Sequence, residues 1–357
     1  MHKIVITGGH HNSALVVAQE LVKRGHKIVW VGHRHSSRGD TRDSAEFLEV
    51  TSAGIPFYDL VAGRLSLSII EFSRFIKGAI NAFRILYKER PAAILSFGGY
   101  LGGTVALSGK LLSIPIFLHE QTVTAGRANK LIGLLAQKVF LTWKESAKYF
   151  SSKKTIVLGL PLRGGVLSSA KKTIFSRQKP SILVLGGKQG AHVINQFIFD
   201  NLRDIIPHFN LVHQTGTSSL TQDYEKALSL QETLGSLGDS YLPLGYITQN
   251  EIGSYLHNVD YYFGRSGAHI CYELGVIGLP SLLVPLMSTH DHEQLKNAQI
   301  LLNSNQAVVL AQSKLQLGLF LESIAQLKTL TRVPLNLPKN ATKTLIDHLL
   351  QELKTNG

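Results

Sequence analysis

Short runs of β-branched and other apolar residues alternate along the chain with longer stretches whose apolar positions recur every three or four residues. Lys3–Ile6, Lys27–Val31, Ala93–Phe97, Ile114–Leu118, Lys138–Leu141 and Thr155–Leu158 read as strands, and Ala14–Arg24, Ile69–Tyr87 and Ala125–Ala136 as helices. The polar stretch His33–Ser44 reads as a loop. After Gly159-Leu160-Pro161 and a polar segment over Ser168–Pro180 the rhythm restarts. Strands are expected at Ser181–Leu185, Asn210–His213, Tyr241–Leu244, Tyr261–Phe263 and Ser281–Val284, and helices at His192–Asn201, Ala268–Val276 and Ala341–Leu353. Strands that alternate with helices form parallel sheets covered on both faces. The pattern therefore predicts an α/β protein of two doubly wound, Rossmann-like domains facing a cleft. The expected domains are residues 1–160 and 161–335, with a terminal helical segment over 336–357. The uncharged stretch Ala92–Gly109 holds five glycines and reads as strand plus loop, because glycine weakens helices.

Composition narrows the class. The chain has 357 residues, 44% hydrophobic and 17% charged, enough apolar matter for two folded cores and too little charge for disorder. Its single cysteine, Cys271, excludes a disulfide framework and a Cys-ligated zinc site. The opening residues lack the long apolar core of a signal peptide. The formal net charge of +13 points to a polyanionic partner, an anionic membrane surface or a phosphorylated substrate. Nucleic acid is not expected, since the charges are dispersed and no nucleic-acid-binding motif is present.

In doubly wound sheets ligands sit at the carboxyl ends of strands, where strand order reverses, so the strand-to-helix turns carry the candidate chemistry. Gly8-Gly9-His10-His11-Asn12-Ser13 opens the first helix, a turn whose free N–H groups favour an anion and whose imidazoles can act as a base. His119-Glu120-Gln121 ends an apolar strand, an unusual place for charge. Gly186-Gly187-Lys188-Gln189-Gly190-Ala191 repeats the glycine device in the second half without Walker or dinucleotide spacing. Arg265, Ser266 and Gly267 flank another helix start. Glu273, seven residues past Ser266 on the same helix face, can accept two ribose hydroxyls or else lie solvated. His290-Asp291-His292-Glu293-Gln294 can meet sugar hydroxyls; a metal there is the less favoured reading. Over residues 65–90 a helix carries the stripe Ile69, Phe72, Ile76, Ile80, Phe83 and Tyr87. Ile70, Phe75 and Ile85 lie off that stripe among Arg74, Lys77, Arg84, Lys88 and Arg90. This surplus of apolar groups among basic ones suits an anionic bilayer surface, with Ile70, Phe75, Ile85, Arg74 and Lys77 as the expected patch; an ordinary buried helix is the alternative.

Taken in order, Gly98-Gly99-Tyr100, His119-Glu120-Gln121, Gly159-Leu160-Pro161-Leu162-Arg163, the Gly186–Ala191 turn, Arg265-Ser266-Gly267-Ala268 through Glu273, Gly278-Leu279-Pro280, and Gln294 with Asn297-Ala298 resemble the MurG family. The resemblance spans residue 4 to about residue 310. It implies the GT-B fold and inverting, metal-independent transfer of N-acetylglucosamine from UDP to a lipid-linked muramyl-peptide at the cytoplasmic face of the membrane. No cofactor is implied. Arg163, Lys188, Gln189, Arg265, Ser266 and Gly267 would surround the nucleoside diphosphate, Glu273 would hold the ribose, and Glu293 and Gln294 would meet the donor sugar. Gly9, His11, Asn12, Tyr100 and Asn129 would take the acceptor, with His10 or Glu120 as the base. The final helix would cross back onto the first domain. The chain departs from the family pattern in a first glycine turn about three residues shorter, in Thr122 for Asn, in Lys188 for Ser and in Glu293 for Gln. A transferase with another lipid-linked acceptor, a UDP-N-acetylglucosamine 2-epimerase and a non-catalytic UDP-sugar-binding scaffold are the rival readings.

Overall fold

The computed structural model describes residues 1–35, 43–63, 69–168, 170, 172–176, 179–187, 189–288 and 290–355, with the side chains of Ile69, Ile70 and His290 left out. Lys188 and the side chain of Ile70 thus lie outside the described residues. The described residues form two compact units, one of those up to Leu162 together with those from Pro338 onward, the other of those from Arg163 to Leu337.

The first unit contains β1 (Lys3–Thr7), α1 (His11–Lys23), β2 (Lys27–Gly32), α2 (Ala45–Ser52), β3 (Phe57–Asp59), α3 (Ile69–Glu89), β4 (Ala93–Ser96), α4 (Gly99–Leu111), β5 (Ile116–Glu120), α5 (Arg127–Leu135), β6 (Lys138–Leu141) and β7 (Thr155–Val157). Its parallel sheet has the order β3-β2-β1-β4-β5-β6-β7. The order reverses between β1 and β4, where Thr7 pairs with Ser96.

The second unit contains β8 (Ser181–Leu185), α6 (His192–Ile205), β9 (Asn210–Gln214), α7 (Asp223–Thr233), β10 (Tyr241–Leu244), α8 (Ile252–Asn258), β11 (Tyr261–Gly264), α9 (Ala268–Ile277), β12 (Ser281–Leu283), α10 (Glu293–Asn303), β13 (Ala307–Val309) and α11 (Leu317–Leu327). Its sheet runs β10-β9-β8-β11-β12-β13 and reverses between β8 and β11. Both cores consist of apolar strands buried on two faces, as the near-continuous Val/Ile/Leu runs require. The last helix, α12 (Ala341–Thr355), lays Leu345, Ile346, Leu349 and Leu353 into the first unit's core beside Ala14, Leu15 and Ala18.

Two expectations are corrected. Residues 99–111 form helix α4 rather than a loop. Its glycines are contact positions: a methyl group at Gly102 would lie 2.5 Å from Ser96 Oγ, and one at Gly109 would lie 2.2 Å from Ile94 Cδ1. The missing side chains let the helix lie close against the sheet, and that packing offsets a propensity cost of about 1 kcal/mol per glycine. On α3 the assignment of faces is inverted. Gly78, Ala82 and Leu86 are buried and Phe75 and Ile85 half-buried, whereas Phe72, Ile76, Ile80, Phe83 and Tyr87 are 36–61% exposed. The helix turns its small residues inward: Gly78 meets the backbone and side chain of Ala62, leaving no room for a bulkier stripe. No helix among the described residues is long and apolar enough to cross a membrane.

Candidate active site

Each sheet places two strand-to-helix turns side by side at its reversal point; Gly9, His10, Asn12 and Tyr100 lie at those of the first unit and Gln189, Arg265, Ser266 and Gly267 at those of the second, whereas Glu120, Asn129, Arg163, Glu293 and Gln294 come from other segments. In the first unit these are the turns after β1 and β4. A methyl group at Gly9 would lie 2.2 Å from the Gly98 carbonyl oxygen, so the two turns touch through bare backbone. Gly98 and Gly99 adopt φ of 86° and 78°, values open to glycine at little cost. Ser96 Oγ accepts hydrogen bonds from Gly98 N (3.2 Å) and from Thr7 Oγ1 (3.0 Å), tying both strands to the second turn. Neither His10, the N-cap of α1, nor Gly98, the N-cap of α4, makes a side-chain cap hydrogen bond, and the first N–H of α4, that of Gly99, goes instead to Asn129 Oδ1. Two helix N-termini therefore lie at the crevice, and their dipoles favour an anion there.

Around this crevice Gly9 is exposed, His10 and Asn12 are half-buried, and Tyr100 is 37% exposed. The Tyr100 hydroxyl lies 2.8 Å from His33 Nε2, a partner that sequence reasoning left inside a loop. Burial holds the His33 imidazole below its usual range, with Asp59 opposing. His11, expected at the acceptor, is instead enclosed, with Nε2 2.7 Å from Glu49 Oε2 on α2. As the first residue of α1 it points into the domain, so the two adjacent histidines part company.

Glu120 is fully buried at the end of β5. Its Oε1 accepts from Thr122 N and Thr122 Oγ1, both at 2.9 Å, and its Oε2 accepts from Asn129 Nδ2 at 2.8 Å. Asn129 Oδ1 in turn accepts from Gly99 N at 3.0 Å. Burial pushes the Glu120 carboxyl above its ordinary range, against the pull of these hydrogen bonds. Glu120 and Asn129 thus form a relay that fixes the turn before α4. His119 is a core group, with Nε2 3.2 Å from the Gly159 carbonyl and its ring against Phe97.

In the second unit the turns follow β8 and β11. Gly187 has φ 97° and open space beside it, and Gln189 is exposed. Gly190, at φ 79°, fits because a methyl there would fall 1.7 Å from the Thr215 carbonyl. That carbonyl accepts from Asn195 Nδ2 at 2.8 Å, and Asn195 Oδ1 lies 3.0 Å from Nε2 of the fully buried His213. Burial pushes His213 down to about 3, so this network carries a neutral imidazole. Helices α6 and α9, capped by Ala191 and Gly267, have no side-chain cap, and the space beside Gly267 is open.

Arg265 and Ser266, expected around the diphosphate, face the domain. Arg265 is 8% exposed and donates to the Val284 carbonyl (3.0 Å) and to Gln312 Oε1 (2.5 Å), and burial lowers its pKa. Ser266 Oγ donates to the Gln294 carbonyl at 2.8 Å, and Gln294 Oε1 accepts from Leu286 N at 3.0 Å. The two residues brace the turns after β11 and β12. Glu293 is half-buried at the start of α10.

Glu273 is not a solvated helix position. It is fully buried on α9, and Arg163 grips it in a fork: Nε to Oε1 at 2.8 Å, Nη2 to Oε2. His269, one helical turn earlier, places Nε2 3.0 Å from Oε1. Burial alone would raise the carboxyl, but Arg163 and His269 hold it down to about 2. His269 was missed in the sequence, although its i, i+4 spacing to Glu273 was there to be read. Among the described residues no group of three or more His, Cys, Asp or Glu is placed to hold a metal ion.

The glycosyltransferase family 28 N-terminal domain matches residues 6–141, and the family 28 C-terminal domain matches residues 181–350. A UDP-N-acetylglucosamine--N-acetylmuramyl-(pentapeptide) pyrophosphoryl-undecaprenol N-acetylglucosamine transferase of Clostridium botulinum (strain Loch Maree / Type A3) is 30% identical over 331 residues, 88% of each chain. The crystal structure of Acinetobacter baumannii MurG is similar with a TM-score of 0.68 and 22% identity, covering 98% of this chain and 100% of that one. A UDP-GlcNAc 2-epimerase from Neisseria meningitidis, bound to UDP-GlcNAc, reaches a TM-score of 0.66 at 16% identity, covering 98% and 99%. The two structures share the fold of this chain.

Proposed function

This chain belongs to the MurG family of glycosyltransferases, and we propose that it transfers N-acetylglucosamine from UDP-N-acetylglucosamine to a muramyl-peptide carried on a polyprenyl pyrophosphate. The observation that carries this reading is the pair of reversal-point crevices, each formed by two glycine turns and two helix starts whose N-cap residues make no side-chain cap, in a chain of this family. The second unit takes the donor. Glu273 holds the ribose, while Arg163, Gln189, Gly267 and the starts of α6 and α9 meet the diphosphate. Glu293 and Gln294 lie at the donor sugar. The first unit takes the acceptor pyrophosphate at Gly9, Asn12 and Tyr100.

The acceptor hydroxyl attacks the anomeric carbon with inversion, and the bond to the UDP oxygen breaks. His10 removes the hydroxyl proton. Glu120, enclosed and saturated with donors, keeps Asn129 and the α4 turn in place instead. Helix N-termini and Arg163 meet the charge on departing UDP, a task that needs no metal ion. The exposed α3 stripe, bordered by Lys77, Arg84, Lys88 and Arg90, seats the protein on the anionic cytoplasmic face of the membrane, where a lipid-linked acceptor is presented.

The deciding experiment follows UDP release from UDP-N-acetylglucosamine with and without a lipid-linked muramyl-pentapeptide. Release that needs the acceptor and yields a disaccharide supports the proposal. Conversion of the free nucleotide sugar without acceptor marks an epimerase, and binding without turnover marks a scaffold.

A further inference from the structure

We propose that His269 is a positioning residue for nucleotide recognition, holding the Glu273 carboxylate for the ribose when Arg163 exchanges that carboxylate for the diphosphate. This rests on the reading that the second unit binds a nucleoside diphosphate.

The acceptor capacity of one carboxylate is limited. An ionised Glu offers about four lone-pair sites. Among the described residues Glu273 already receives three donors: Arg163 Nε and His269 Nε2 on Oε1, and Arg163 Nη2 on Oε2. A ribose presents two adjacent hydroxyls, each needing an acceptor. One site is left, so both hydroxyls are accommodated only if Arg163 gives up at least one of its bonds. The arriving diphosphate supplies what Arg163 then pairs with, since a guanidinium fork fits phosphate as it fits carboxylate.

His269 cannot make the same exchange as readily. It sits four residues before Glu273 on α9, and its side chain is 9% exposed. The helix backbone fixes that spacing, whereas Arg163 reaches Glu273 from a segment 110 residues away in sequence. When Arg163 leaves, His269 is the partner that keeps Oε1 from turning away and spares a fully buried carboxylate from losing every donor at once. An unpartnered buried carboxylate would draw a proton and lose its power to accept two hydroxyls. His269 therefore acts through Glu273, and its contribution is to the ribose.

The test is calorimetric binding of UDP and of 2′-deoxyuridine 5′-diphosphate to the full chain. The wild type is expected to prefer UDP by about tenfold or more, the worth of one hydrogen bond to a charged group. In His269→Leu that preference falls to within about twofold, with UDP weakened and the deoxy analogue nearly unchanged. His269→Gln, which keeps a donor, restores most of the preference. A merely structural histidine would weaken both ligands alike. Preference for UDP intact in His269→Leu overturns the proposal while leaving the donor site standing. Should His269→Leu fail to fold, His269→Asn, too short to reach Oε1, makes the same comparison and is read in the same way. Failure of the wild type to bind either nucleotide overturns the donor-site reading itself.

Discussion

Gly9 and Gly98 meet backbone to backbone: a methyl group on Gly9 would sit 2.2 Å from the Gly98 carbonyl oxygen and 2.9 Å from that of Phe97. Neither carbonyl is the end of a flexible side chain, so nothing can swing aside. Gly9→Ala is expected to part the two turns, lower stability by about 1–3 kcal/mol and reduce turnover at saturating donor. Gly318→Ala is the control. A methyl there meets nothing within 4 Å inside α11, and the change should raise stability by up to about 1 kcal/mol. Urea midpoints of the two variants should move in opposite directions.

The Arg163–Glu273 pair makes stability depend on acid. The Glu273 carboxyl sits at about 2 in the folded chain against 4.5 for the free group, so folding favours its ionised form. That contribution is present above about pH 4.5 and fades as pH falls toward 2; its size is on the order of 3 kcal/mol. Glu273→Gln should cost about 3 kcal/mol near neutrality, since it strands a buried guanidinium. The gap between variant and wild type should narrow steadily below pH 4 in denaturant titrations. A gap that stays constant down to pH 2.5 would refute the linkage.

His10 and Glu120 should separate kinetically. His10→Ala is expected to lower kcat by about a hundredfold or more with little change in acceptor KM, the loss proper to a proton acceptor. Glu120→Gln replaces one accepting oxygen by a donor that opposes either Thr122 or Asn129. Its effect should fall on acceptor KM and on stability together, through displacement of the Gly99 turn. Steady-state kinetics at varied acceptor, with melting curves, distinguish the two.

The inverted faces of α3 give a paired prediction for membrane association. Phe72→Glu combined with Phe83→Glu should release the protein from anionic vesicles while leaving its melting temperature nearly unchanged, because both side chains are solvent-facing. Phe75→Glu, on the packed side, should destabilise the first unit instead. Release should steepen with added salt, since screened Lys77, Arg84 and Lys88 no longer hold the surface. Vesicle co-sedimentation across a salt series reads both effects.

What the sequence disclosed follows from the length scale of each signal. Parallel strands buried on both faces are continuous apolar runs, so their alternation with helices and the doubly wound class were legible. Arg163 was singled out only through the ordered motifs, and Glu273 also by its place seven residues past Ser266. That they grip each other was not legible, because 110 residues separate them in sequence. The glycines of α4 misled for a related reason: helix propensity is local, and the need for Gly102 to clear Ser96 is tertiary. On α3, periodicity located two apolar stripes but could not say which one meets the sheet. That was decided by Gly78 and Ala82, residues with almost no hydropathic weight. Arg265 and Ser266 lie at the predicted turn, yet their polar ends point at the carbonyls of Val284, just past β12, and of Gln294 on α10, a direction that no spacing encodes.

The helix at the far end of the chain has a consequence for biosynthesis. Leu345, Ile346, Leu349 and Leu353 fill a gap over α1 in the first unit, although the ribosome reaches them only after the entire second unit has been made. The first half to emerge is therefore the last to be finished. Until α12 arrives, the nascent amino-terminal sheet carries an uncovered apolar trough, a surface for a chaperone to shield and for a neighbouring nascent chain to misuse. Premature termination anywhere in the second half would leave that trough open for good, so surveillance of truncated copies can act on the front of the molecule.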